Sequence, residues 1–174
     1  VTDSIIRAAV ISDCGTYRYS LRRTWNDDSR GVLWVMLNPS TADASKDDPT
    51  IRKVCGFTRQ WCFGDALVCN LFAFRATDPK ELQRAHKRGV DIIGPENLEH
   101  LRKWSQRAQR IVVAWGAHAE PYDATVDRVM TVLRSHNHQL YCLGTSKSGQ
   151  PRHPLMLAYS TPVVAFPVSG QVTT

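Results

Sequence analysis

A chain of 174 residues has the size of one domain, and 43% hydrophobic with 22% charged residues is the balance of a globular protein rather than a disordered one. No run approaches the ~18 to 20 apolar residues of a membrane span, and the opening VTDSIIRAAVISDCG lacks the basic end and long apolar stretch of a signal peptide. A cytoplasmic protein without a membrane partner is therefore expected, and the net charge of +6 favours an acidic partner such as nucleic acid.

In chain order, AAVISD and TYRYSLRR alternate apolar and polar residues around Cys14 and Gly15, which predicts a β-hairpin within residues 1–30, at the edge of the core. WNDDSRG, residues 25–31, is turn chemistry. VLWVML, residues 32–37, is continuously apolar, as a strand buried on both faces of a parallel sheet would be. Asp48 and Pro49 then read as the N-cap and first position of a helix running to about Trp61, with Ile51, Val54, Cys55 and Thr58 turned inward. ALVCNLF, residues 66–72, predicts a second strand, and Gly94-Pro95 opens a helix with Leu98, Leu101 and Trp104 on its inner face. IVVAW, residues 111–115, predicts a third strand; Val126, Val129, Met130 and Leu133 mark another helix; residues 139–143 predict a fourth strand. Strands alternating with helices imply right-handed βα units and a largely parallel sheet covered on both faces. One domain over residues 1–174 follows, with an α/β core at 31–168 and a frayed tail from Ser169.

Open parallel sheets place ligands beyond the carboxyl ends of their strands, where loops and helix N-termini converge. Four segments then carry the chemistry. The first strand is followed by Asn38, Pro39, Ser40 and the acidic cluster Asp43, Asp47 and Asp48; the second leads through Asn70 and Phe72 to Arg75. Gly116, Ala117 and His118 follow the third strand, and GTSKSGQPRHP, with Lys147, Arg152 and His153, follows the fourth. The Asn38 side-chain carbonyl suits the holding of a water, with a turn residue before proline as the simpler account. Asn70 interrupts an apolar strand, so its amide either stitches a neighbouring loop or offers a donor and an acceptor to a heterocycle edge. His153, between Pro151 and Pro154, has restricted backbone freedom and suits the stabilisation of a developing anion, a role for which His118 competes. Asp43 is the freer carboxylate, able to orient a water, bind a ribose or cap its own loop, while Lys147 and Arg152 suit phosphate. Five cysteines without a CxxC pair argue against a disulfide framework or a zinc ribbon; reduced core thiols and no metal or other cofactor are expected.

The segments WVMLNPSTAD, DDPTIRKVCGF, NLFAFRATDP, DIIGPEN, VVAWGAHA and LGTSKSGQPRHPL resemble, over about residues 20–160, a bacterial and phage family known only as domain of unknown function 1643. More distantly, the ordered motifs are similar to the uracil-DNA glycosylase superfamily. Met36-Leu37-Asn38-Pro39 resembles its Gly-x-Asn-Pro motif without the glycine, VCNLFAFRATDP its second-strand segment, and Arg152-His153-Pro154-Leu155 the His-Pro of a His-Pro-Ser loop without the serine. That resemblance implies a three-layer α/β/α fold around a mostly parallel four-stranded sheet, with the N-terminal hairpin added. It also implies that Asn38 positions the attacking water, Asn70 reads the base edge, His153 stabilises the departing base, and Phe57 or Trp61 supplies the stacking aromatic. The leading expectation is a base-directed N-glycosidase acting on nucleic acid, DNA foremost, or on a nucleotide. Its rivals are a non-catalytic nucleic-acid or nucleotide binder, an enzyme of modified nucleosides, and a metal-dependent enzyme using Asp43, Asp47 and His118.

Overall fold

The protein is described as a computed structural model covering residues 5–26, 31–135 and 138–167. Its sheet is built on β3 (Gly31–Met36), whose Val32 to Met36 are all buried, which accounts for the unbroken apolar run. β4 (Asp65–Asn70) and β5 (Arg110–Val113) flank it in parallel, and β6 (Leu140–Cys142) extends the parallel set beyond β5. Successive side chains of a strand point to opposite faces. Val32, Trp34 and Met36 accordingly join one cluster with Ile51, Val54 and Phe57 of α1 (Pro49–Gln60). Leu33, Val35 and Leu37 join the other, with Leu82 of α2 (Pro79–Lys87), Leu101 of α3 (Asn97–Arg107), and Val129 and Leu133 of α4 (Asp123–Arg134).

Three features differ from the sequence expectation. The sheet has seven strands among the described residues, in the order β1-β2-β4-β3-β5-β6-β7, because antiparallel strands extend the four parallel ones at both edges. β1 (Ile6–Ile11) and β2 (Arg18–Thr24) do form a hairpin, but β2 pairs with β4 and is buried along most of its length. The hairpin is thus continuous with the sheet rather than an appendage, and β2 covers an edge of β4 that would otherwise expose unpaired backbone groups. At the far edge, the short β7 (Val164–Ala165) pairs with β6. The tail from Ser169 and most of the WNDDSRG turn lie outside the described residues.

Asp48 caps α1 by accepting from the Ile51 amide at 2.8 Å, with Pro49 at the first helical position, where a missing N–H costs nothing. The cysteines are all free, but Cys14 and Cys62 are exposed; of the five, Cys69 and Cys142 are buried. Among the described residues, no helix is long and apolar enough to cross a membrane.

Candidate functional site

At the carboxyl ends of the parallel strands, a cleft of about 660 Å³ opens on the α1 side of the sheet. Asn38, Ser40, Asn70, His118, Arg152 and His153, six of the residues singled out from sequence, line it together. Backbone pairing brings them there from distant positions. Met36 and Asn70 are register partners across β3 and β4, and the pairing continues past the strands through the Leu71 amide to the Met36 carbonyl and the Ala76 amide to the Pro39 carbonyl. Beyond β6 the chain folds back through a Thr145 to Pro151 bridge, and the Gly116 amide donates to the Pro151 carbonyl at 2.9 Å. Gly116 adopts φ +76°, a conformation glycine takes without steric cost, and a Cβ there would lie 3.4 Å from that of His153.

Asn38 donates both of its amide hydrogens to carbonyls, that of Ala76 at 2.7 Å and that of Pro39 at 3.1 Å. Its remaining polar atom, Oδ1, is an acceptor only. Asn70 is 2% exposed, and its Oδ1 has no partner among the described residues although it is buried. Its own backbone is held from outside the cleft: Asn97, fully buried at the start of α3, donates Nδ2 to the carbonyls of Asn70 and Leu71, both at 3.0 Å. Asn70 therefore does not stitch a neighbouring loop; the asparagine that does so is Asn97.

His153 is half-buried, and its Nδ1 accepts from the Leu155 amide at 3.3 Å. An Nδ1 that accepts carries no proton, so the neutral ring bears its proton on Nε2. Burial lowers its pKa below the ordinary histidine value, with Asp48 opposing and His118 adding to the shift. The side chain is thus a neutral donor at pH 7 rather than a cation.

Asp48, Gly116 and Ala117 also line the cleft, whereas Pro39, Asp43, Asp47, Phe72, Arg75 and Lys147 lie outside its lining. Phe72 is fully buried in the opposite cluster, edge-on to Tyr122 at 4.7 Å. Pro39 is buried, and it is its carbonyl that matters, as an acceptor for Asn38 and Ala76. Asp43 spends Oδ1 on the amides of Ser45 and Lys46 and the Ser45 hydroxyl, bonds that hold its carboxyl down at about 2. The loop-capping account of that residue is the one its contacts fit. Arg75 donates Nη1 to the Gly15 carbonyl, and Lys147 is exposed on the loop after β6. Asp47 pairs with Arg7 and Arg23, so Asp43, Asp47 and His118 do not converge, and among the described residues no three His, Cys, Asp or Glu side chains gather as a metal would require. Phe57 and Trp61 pack with Trp34 beneath α1; the aromatic lining the cleft is Trp115, whose Nε1 donates to Gln150 Oε1 at 2.7 Å.

Sequence reasoning missed Arg18, Asn97 and Trp115. Arg18, 2% exposed, lines the cleft from β2, a strand expected to lie outside the core. Trp115 closes the predicted third strand and Asn97 follows Gly94-Pro95, so both stood beside recognised signals; the burial of Arg18 left no trace in the alternation of its strand.

Fold and cleft together define an α/β protein with a cleft, lined by both polar and apolar side chains, at the carboxyl rim of a mixed sheet. The chain belongs to the family described as Protein of unknown function (DUF1643), whose model matches residues 18–155. No curated protein matches it. Among solved structures it is similar, at 14% identity and a TM-score of 0.31, to the hetero-hexameric glutamate dehydrogenase from Thermus thermophilus in its leucine-bound form, over 76% of this chain and 30% of that one.

Proposed function

We propose that this protein is a base-directed N-glycosidase of the uracil-DNA glycosylase type, acting on a nucleobase in nucleic acid, DNA foremost, or in a nucleotide. The observation that carries the reading is the meeting of Asn38, Asn70 and His153, remote in sequence, in one cleft. Hydrolysis of an N-glycosidic bond needs a positioned water, recognition of the base, and stabilisation of the charge the base acquires as the bond stretches. Asn38, with its amide tied to two carbonyls, presents a fixed oxygen to the water. The Asn70 amide offers a donor and an acceptor to the base edge, and the neutral His153 donates Nε2–H to the anion, as preorganised donors do in a water-poor site. A base in a duplex reaches such a cleft only when flipped from the stack. Arg152 at the rim supplies a cation for phosphate.

The test is incubation with oligonucleotides carrying uracil, hydroxymethyluracil, hypoxanthine and hypermodified bases, followed by mass analysis of the released base. One base is expected to be released, leaving an abasic site. Salt-sensitive binding with no release from any oligonucleotide would replace this reading with a non-catalytic nucleic-acid binder.

A further inference from the structure

The cleft contains a buried cation that the proposed chemistry does not use. Two arginines of β2 are almost fully buried, Arg18 and Arg23. Arg23 is matched: Nε donates to Asp47 Oδ1 at 2.7 Å, and its other nitrogens reach the carbonyls of Arg22, Asp43 and Lys46. Arg18 is not. Its Nη1 donates to the Ala42 carbonyl at 2.7 Å, its Nε is buried without a partner, and among the described residues no carboxylate lies within ion-pair distance of it. Asp48, which also lines the cleft, gives its Oδ1 to the Ile51 amide instead. Burial lowers the Arg18 guanidinium to about 10, with the charge of Asp48 opposing and that of Arg75 adding, so it stays charged at neutral pH.

A cation taken out of water without a counter-charge is costly, and a planar guanidinium is matched best by two oxygens of one carboxylate or phosphate. Asn70 lines the same cleft on the neighbouring strand; its unpartnered Oδ1 is an acceptor, so of its two polar atoms only Nδ2 can face an anion. We infer that the inner end of the cleft is an oxyanion subsite, in which Arg18 receives a carboxylate or phosphate group of the ligand beside the Asn70 amide. The ligand is therefore an anionic one: a base or nucleoside bearing a carboxylate, or a nucleotide whose phosphate reaches inward. The subsite rests on Arg18 and holds whether or not a glycosidic bond is cut.

The probes are inorganic phosphate and acetate, added to the full chain at ionic strength balanced with chloride, with the thermal midpoint and the Arg Nε–H resonances as readouts. At least one of the two is expected to raise the midpoint saturably in the millimolar range and to move the Arg18 Nε–H signal. Preference for phosphate marks a nucleotide; preference for acetate marks a carboxylated base. Arg18→Met, which replaces the cation with an apolar side chain, is expected to fold with an equal or higher midpoint and to lose the saturable response. Arg18→Lys, which keeps the charge without the planar fork, is expected to weaken the response about tenfold. The wild-type resonance decides the matter if either variant folds poorly. No saturable response above chloride, an unmoved Arg18 signal, or an equal response in Arg18→Met would each overturn the assignment.

Discussion

With both amide hydrogens donated to the carbonyls of Ala76 and Pro39, Asn38 is fixed in one orientation, and only its oxygen is left to meet a ligand or a water. Asn38→Ala is expected to lower kcat ~100-fold or more with binding little changed, as loss of an interaction made chiefly in the transition state does. Asn38→Asp is expected not to rescue it, because a carboxylate has no hydrogens for the two carbonyls; single-turnover base release measures both. His153→Ala is expected to cost a similar factor, and its pH profile carries the sign of the mechanism. Burial depresses the folded-state pKa, so the neutral donor is fully present above the ordinary value of about 6.5 and is lost as pH falls through the lowered one. Turnover should be flat above that value and decline on the acid side; a decline beginning on the alkaline side would mean that the imidazolium is the active form. Stability follows the same direction, since between the two pKa values the unfolded chain binds more protons than the folded one.

At the scale of elements, the site is a consequence of how strands end. Parallel pairing of β3 with β4 aligns Met36 with Asn70, and Asn97 at the head of α3 clamps the two carbonyls that follow. Asn97→Ala leaves those buried carbonyls without their side-chain donor, a loss of about 2 kcal/mol or more. Chemical denaturation should register that loss, and kcat should fall with it if the clamp also positions Asn70; stability lost with kcat unchanged would assign Asn97 a purely structural role. The parallel strands were legible because burial on both faces leaves a run without alternation, and α1 because Asp48 and Pro49 announce it. α2 was not, since its apolar contribution is confined to short-spaced residues such as Leu82 and Ala85 on an otherwise charged segment. The loop residues Asn38 and His153 were legible as punctuation after strands, whereas Phe72 and Asp43 show that the same position serves packing or loop capping equally well.

For the whole molecule, the least legible fact is that β2 belongs to the core, while β1, mostly exposed, forms the edge beside it. The alternating pattern fits an exposed hairpin, yet β2 is buried on both faces: Leu21 and Arg23 lie on the side of α1, and Thr24 on the other face donates to Asp65 of β4. Arg23 shows what that covering requires: a guanidinium 1% exposed, with Asp47 and three backbone carbonyls around it, tying β2 to the chain that enters α1. If the hairpin were an appendage, Arg23→Ala would be nearly neutral, as surface changes are. Instead the substitution strands Asp47 with Arg7 alone and leaves the three carbonyls short of a donor, so a loss of about 3 kcal/mol is expected. For a chain of this length, that corresponds to a fall of roughly 6 to 12 °C in Tm. Hydrogen exchange gives the sharper reading, because β2 shields β4 and β4 carries Asn70. The variant should lose protection at the amides of β2 and β4 together, and a loss confined to β1 and β2 would show that the hairpin unfolds independently of the sheet.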